Sequence, residues 1–119
     1  MTTQPEHFAG ERIPRPEKTP DALRIALARL APHRLAEMEK QKNEAFALAT
    51  QYDTLGPLHG WLTIWAGEVE IERRPDLYER RRRAEESVQH TSGKDDPHFR
   101  KGMDELLAVL DEARRAVEE

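Results

Sequence analysis

The sequence predicts an all-α fold, a four- or five-helix bundle with a disordered N-terminal tail. Apolar residues recur at spacings of three and four along most of the chain, which is the pattern of amphipathic helices. Proline occurs at positions 20, 32, 57, 75 and 97 and divides this pattern into segments of helical length, and proline is favoured at the first position of a helix. The one alternating stretch, residues 68–72, continues the helical spacing before it, so no strand is predicted.

The composition is typical of one small domain inside the cell. The chain has 119 residues, of which 37% are hydrophobic and 35% are charged. The core should therefore be thin, and a homo-oligomer would relieve that shortage. There is no cysteine, which excludes disulfides and thiolate metal sites. No membrane-spanning run and no signal peptide is recognised, and a cytoplasmic location is expected.

The predicted tail and the first helix meet at Thr19. Residues 1–19 contain Pro5, Pro14 and Pro16 and few apolar side chains, which disfavours both a helix and a buried position. Thr19 is a suitable N-cap for a helix that begins at the next residue, a proline. The apolar face of that helix is Ala22, Leu23, Ala26, Leu27 and Leu30.

Two further helices are predicted on either side of a turn at residues 53–57. The first runs from Pro32 to about Gln51. Its apolar stripe is Leu35, Met38, Ala45, Ala49 and Tyr52, widened by Phe46 and Leu48. The second begins at Pro57 and is apolar nearly all round over two turns, which is typical of the central helix of a bundle. Its predicted core residues are Leu58, Trp61, Leu62 and Trp65.

The last two helices begin at Pro75 and Pro97, and a loop with Gly93 separates them. The last helix has an apolar seam with spacings of four and three, as in helices that pack along a neighbour. The seam is Phe99, Met103, Leu106, Leu110, Ala113 and Val117, broadened by Leu107. It belongs either to the core of the bundle or to an arm that lies on a partner. The chain is thus divided into the tail, a helical core domain at residues 20–90 and a C-terminal amphipathic acidic helix at residues 95–119.

Acidic charge is concentrated in that last helix. Residues 95–119 hold eight acidic and four basic side chains, and the rest of the chain holds fifteen of each. Such a helix suits a basic protein partner better than a nucleic acid. The predicted function is a non-catalytic protein-binding regulator that masks a basic partner. In this hypothesis the partner contacts the apolar residues Phe99, Met103, Leu106 and Leu110, while Asp104, Asp111 and Glu112 face its basic groups.

A run of arginines supports an alternative function. Its members are Arg73, Arg74, Arg80, Arg81, Arg82 and Arg83. Such a cluster can bind the phosphates of a nucleic acid. Seven acidic residues surround the run, so an ordinary charged helix is favoured, and an acidic protein partner is a further option. A structural subunit of a larger assembly also agrees with helices this rich in charge.

No residues that carry catalysis or hold a cofactor or a metal are recognised. No two histidines lie at metal-binding spacing, and His59 is the only one beside the apolar helix. No serine lies in a nucleophile motif, and no glycine-rich phosphate loop is present. The carboxylates are all expected to be exposed, without the shifted pKa of a catalytic acid. The protein is accordingly predicted not to be an enzyme.

Two stretches resemble an uncharacterised family of short helical proteins from high-GC Gram-positive bacteria. The first is Ala22, Leu23, Arg24, Ala26 and Leu27, and the second is Pro57, Leu58, Trp61, Leu62 and Trp65. The resemblance covers residues 20–90, and its motifs mark packing positions rather than catalytic residues. Some members neighbour RelE-type toxins, so the resemblance implies an antitoxin-like role. The acidic last helix lies mostly outside the resemblance, although it would suit a basic ribonuclease toxin.

Overall fold

Five α-helices make up most of residues 13–118, the part of the chain that the computed structural model describes. They are α1 (Pro20–Leu30), α2 (Leu35–Tyr52), α3 (Gly56–Arg73), α4 (Pro75–Gln89) and α5 (Pro97–Glu118). A turn of 3-10 helix, Pro32–Arg34, precedes α2, and no strand occurs within these residues. The prediction of an all-α bundle is confirmed. Residues 1–12 of the predicted tail lie outside the described residues, and residues 13–19 contain no helix.

Proline and capping residues determine where the helices begin and end. Thr19 has an extended backbone, and its Oγ1 accepts a hydrogen bond from the Ala22 amide at 3.2 Å, so it caps α1 as predicted. Arg74 alone separates α3 from α4, because a residue before proline avoids the helical region. α2 ends at Tyr52, and the residue after it, Asp53, has a left-handed backbone. The start of α2 differs most from the prediction, since Pro32 begins a 3-10 turn that the α-helix follows.

The first hydrophobic cluster surrounds the two tryptophans of α3. Trp61 and Trp65 are buried among residues of α1 and α2. The indole of Trp61 donates to the Met38 carbonyl at 3.1 Å, and that of Trp65 donates to Gln41 Oε1 at 3.0 Å. Both indole N–H groups therefore have the partner that a buried tryptophan needs. The other two predicted core residues, Leu58 and Leu62, are half-buried against this cluster.

A second cluster joins α3, α4 and α5, and it places α5 within the bundle. Its buried members are Ile71, Leu77, Val109 and Ala113, with Leu110 half-buried against them. Val117, further along α5, packs against the tryptophan cluster. α5 therefore belongs to the folded unit, which agrees with the core interpretation of its seam and not with a detached arm.

α2 buries a narrower stripe than its spacing predicts. The buried residues are Met38, Ala45 and Ala49. The members of the predicted stripe that are exposed instead are Phe46, Leu48 and Tyr52. α2 packs mainly against α3 and has few contacts with α1. A helix with one main neighbour covers only the side that faces it, so the flanks of α2 remain open to solvent.

A glycine in α5 marks a close approach of α4 and α5. A Cβ placed on Gly102 would lie 2.6 Å from Val88 Cγ2 and 3.2 Å from the Ala84 carbonyl oxygen, both on α4. A Cβ placed on Gly60 of α3 would meet nothing within 4 Å. Only the first glycine is therefore required by packing.

The two glycines give a matched pair of alanine substitutions. Gly60→Ala is expected to stabilise the fold by about 0.5–1 kcal/mol, since alanine is the better helix former. Gly102→Ala is expected to destabilise it by about 1 kcal/mol, because overpacking outweighs the gain in helix propensity. Urea unfolding of both variants measures the difference. Equal stabilisation by the two substitutions would contradict the close contact between α4 and α5.

Candidate protein-binding surface

One side of α5 leaves apolar side chains open to solvent. Met103 is 37% exposed and Leu107 is 61% exposed. The fully buried residues of α5 are instead Gly102, Val109 and Ala113. We call the apolar side the open strip, and it consists of Phe99, Met103, Leu106, Leu107 and Leu110. Its other three members are half-buried, so the strip adjoins the core without being covered by it.

The open strip exists because α5 has neighbours on only part of its circumference. Its N-terminal half packs on α4 at Gly102. Its C-terminal half packs on α3, where the Cγ of Arg114 lies 3.2 Å from the position of a Cβ on Gly67. Of the helices within residues 13–118, only α3 and α4 contact α5. The apolar face of α5 is wider than these two neighbours cover, and the remainder is available for contact with another molecule.

Acidic side chains border the open strip. Asp104 and Asp111 lie one turn before and one turn after Leu107, so the three residues share a face of the helix. Asp104 is exposed and makes no ion pair with any residue from 13 to 118. Asp111 pairs with the exposed Arg115 at 2.8 Å. Of the two carboxylates at this border, that of Asp104 is therefore the one without an ionic partner among residues 13–118.

Glu112, the third predicted acidic contact, is directed toward α4. Its carboxylate accepts a hydrogen bond from Arg80 Nη1 at 2.7 Å, and Arg80 Nε donates to Glu105 at 2.8 Å. The hydrogen bonds to Glu105 and Glu112 raise the pKa of Arg80, and the one from Arg80 lowers the pKa of Glu105. Part of the acidic charge of α5 thus attaches the helix to α4 and does not border the strip.

Carboxylates neutralise the arginine run. Each of its six members forms at least one ion pair with another described residue. The shortest pairs are Arg73–Glu70 at 2.9 Å, Arg74–Asp76 at 2.7 Å, Arg80–Glu112 at 2.7 Å, Arg81–Glu68 at 2.7 Å, Arg82–Glu79 at 2.7 Å and Arg83–Glu79 at 3.1 Å. A phosphate would have to compete with these carboxylates, so the run does not form a free basic surface.

A polar cleft of about 320 Å³ lies between the 3-10 turn, α3 and α4. Its lining residues are His33, Arg34, Glu72, Tyr78, Arg81, Arg82 and Glu85. Arg34 and Arg81 each bind Glu68 and Glu72, at distances of 2.7 to 3.2 Å. The Arg34 guanidinium also lies over the Trp65 ring, 4.9 Å from its centroid. The four charges satisfy one another, which is the arrangement of an ion-pair network that joins three elements of the fold.

Glu70 of α3 is fully buried, so the expectation that every carboxylate is exposed is wrong. Arg15 Nε and Nη2 donate to its two oxygens at 3.1 and 2.9 Å, and Arg73 Nε donates at 2.9 Å. Arg73 also donates to the Ile13 carbonyl at 3.0 Å. Burial alone raises the pKa of Glu70, but the hydrogen bonds from Arg15 and Arg73 outweigh it and hold the pKa below its ordinary value. These bonds hold residues 13–19, the N-terminal segment, against α3.

Metal ligands are not brought together in the part of the chain that the structure describes. No group of three or more His, Asp or Glu side chains there could hold an ion, and His59 is exposed. Over the same residues, no helix combines the length and apolar character needed to cross a bilayer.

The sequence predicts four of the five members of the open strip as partner contacts, and it does not predict the buried ion pair of Glu70. The four apolar residues predicted to contact a partner all belong to the open strip, as does Leu107, which is its most exposed member. In the predicted seam Leu107 is only an addition, because it does not follow the regular spacing of four and three residues. The pair of Arg15 with Glu70 has no local signal at all, since 55 residues separate the two.

Comparison with known proteins gives no relative for this chain. No family model, no curated protein and no solved structure matches it significantly. The resemblance to the family that neighbours RelE-type toxins therefore remains a prediction.

Proposed function

We propose that this protein is a non-catalytic protein-binding regulator whose partner docks on the open strip of α5. The observation that carries the proposal is the exposure of Met103 and Leu107 on a helix whose other side is packed into the bundle. Burying a large apolar side chain contributes roughly 1.5–3 kcal/mol. Two such side chains, with three half-buried ones beside them, supply the apolar centre that a protein contact requires.

The partner that fits this strip is an amphipathic helix with basic residues beside its apolar face. The members of the strip repeat at spacings of three and four, so a second helix can pack along them with its own apolar side chains. Asp104 and Asp111 then face lysine or arginine side chains at the border. Such attraction speeds association and weakens as salt is added.

The proposed mechanism is masking. When a partner helix lies along α5, its basic and apolar face is covered. Any molecule that binds this face of the free partner is then excluded from it. An antitoxin that covers the RNA-binding surface of a basic ribonuclease is the most concrete form of this mechanism, in line with the family that the sequence resembles. The mechanism requires no catalytic group from this chain.

Nucleic-acid binding through Arg80–Arg83 has less support. Each of these arginines is already paired with a carboxylate, whereas Asp104 beside the open strip is unpaired within residues 13–118. A structural subunit of a larger assembly would use the same strip for a permanent contact. The stability of the isolated complex distinguishes such a subunit from a regulator.

Site-specific crosslinking followed by binding measurements tests the proposal. A photoreactive phenylalanine analogue at position 107 should give one protein adduct in cells that make this protein. The same analogue at Leu48, which is also exposed on a helix, should give none. With the purified partner, the double variant Met103→Asp, Leu107→Asp is expected to raise Kd roughly 100-fold, because an unpaired charge within an apolar contact costs several kcal/mol.

Leu48→Asp is the control for this measurement, since it also places an aspartate on an exposed apolar position. It should leave Kd within about twofold of wild type, as expected for a residue outside the contact. Equal adducts from positions 48 and 107, an adduct to nucleic acid, or a Kd that the double variant leaves unchanged would each refute docking on the strip.

A further inference from the structure

An apolar groove of about 280 Å³ lies where α2 ends and α3 begins. It is lined by Phe46, Ala49, Thr50, Asp53, Thr54, Leu55 and Leu58. Phe46 and Leu55 are each 62% exposed, although both are large apolar side chains. The groove shares no residue with the open strip of α5, so it is a separate contact surface.

The rim of this groove carries a carboxylate, that of Asp53, which has no ion-pair partner within residues 13–118. Asp53 follows the last residue of α2 and is the only non-glycine residue from 13 to 118 with a positive φ, 54°. The C-terminal end of a helix is partially negative, and a basic side chain in its last turn offsets that charge. The last turn of α2 has no basic residue, and Asp53 forms no ion pair within the described chain. The groove therefore fits an apolar side chain that has a cation beside it.

The outer face of α1 presents such a combination. Ile25 is 62% exposed and lies on the side of the helix opposite the buried Leu23 and Leu27. Arg29 lies one turn after Ile25, so the two side chains are neighbours on the helix surface. Arg29 is exposed and, over residues 13–118, has no ion-pair partner.

We propose that the groove is occupied by α1 of a second copy of this chain. Ile25 of one protomer enters the groove between Phe46 and Leu55 of its partner, and Arg29 of the first pairs with Asp53 of the second. Each copy carries both surfaces, and the proposed dimer arranges the two copies about a two-fold axis so that the contact forms twice. Charge complementarity argues for this occupant, because Arg29 beside Ile25 and Asp53 beside the groove both lack an ion-pair partner within residues 13–118.

The area involved lies near the lower limit for a specific dimer. Ile25, Phe46 and Leu55 together expose roughly 350–400 Å² per protomer, taking about 200 Å² for each fully exposed side chain. A two-fold contact buries this area on both copies, and polar atoms add somewhat less than half of the total. The sum lies near the lower limit of about 1,200 Å² for specific interfaces. Only 37% of the residues are hydrophobic. A dimer would bury apolar side chains that the monomer leaves open to solvent.

Charge reversal in the purified full-length protein tests this dimer. Sedimentation equilibrium of the wild type is expected to show monomer and dimer in exchange. Arg29→Glu and Asp53→Lys should each raise the dimer dissociation constant about tenfold or more, since each places like charges opposite one another. The double variant restores the pair with its charges exchanged and should return to within about threefold of wild type.

Two further variants complete the design. Ile25→Asp should abolish the dimer through the apolar half of the contact, and Leu107→Asp, on the open strip, should leave it unchanged. Circular dichroism and thermal unfolding establish that each variant is folded. A wild type that is monomeric at its highest soluble concentration overturns the proposal, as does a double variant that remains as weak as the single ones. Either result leaves docking on α5 unaffected, because the two surfaces are separate.

Discussion

Replacing Trp65 by alanine is expected to lower the free energy of unfolding by about 3–5 kcal/mol. The side chain is fully buried in the cluster that joins α1, α2 and α3. Alanine leaves a cavity, removes the hydrogen bond to Gln41, and removes the ring over which the Arg34 guanidinium lies. Urea unfolding followed by circular dichroism measures the change. A loss below about 1 kcal/mol, as for an ordinary surface substitution, would contradict the central position of this ring.

Trp65→Phe is the matched control for this substitution. It retains an aromatic ring for the contact with Arg34. It removes the indole N–H group, which donates a hydrogen bond to Gln41 Oε1. The expected loss is about 1–2 kcal/mol, which corresponds to one part-buried hydrogen bond and a small change in volume. The comparison therefore separates the packing of the ring from its polar contact.

Glu70→Gln is expected to lower the free energy of unfolding by about 2–4 kcal/mol at neutral pH, because it breaks a buried ion pair by removing one partner. The amide has the size of the carboxylate without its charge, so Arg15 and Arg73 lose their common anion. Equilibrium urea unfolding measures the loss. Glu112→Gln, at an exposed pair, is the control and should cost less than about 1 kcal/mol. Equal effects of the two substitutions would mean that burial of Glu70 adds nothing.

The pH dependence of the same comparison tests the pKa of Glu70. The pKa is held below its ordinary value of 4.5, so the ionised carboxylate contributes stability above that value. This contribution is lost as pH falls through the lower pKa of the folded state. The stability difference between wild type and Glu70→Gln should therefore be constant near neutral pH and shrink below pH 4.5. A difference that grows on acidification would mean that burial, not the arginines, determines the pKa.

The helices could be predicted from the sequence because proline and capping residues act locally. Pro20, Pro75 and Pro97 each begin a helix. The covered side of a helix is not a local property, since it depends on which neighbours the fold supplies. The apolar face of α5 is wider than its contact, so spacing alone does not separate the covered line through Val109 and Ala113 from the open strip.

The candidate surface could be predicted in its residue types but not in its extent. Asp104 and Glu112 are equivalent in the sequence, yet Arg80 of α4 binds Glu112 and leaves Asp104 open. Only the arrangement of α4 beside α5 distinguishes them. The pairing of the arginine run with carboxylates is easier to predict, because most of these carboxylates lie within one or two helical turns of the arginines.

The attachment of the N-terminal segment affects the order in which the chain can fold. Arg15 is synthesised before its partner on α3, which follows 55 residues later, and the residue that binds the Ile13 carbonyl follows Ile13 by 60 residues. Closing a loop of this length costs entropy before any contact compensates for it. Residues 13–19 therefore reach their native contacts only after α3 has been made, and a chain that is interrupted before residue 70 has no place for them.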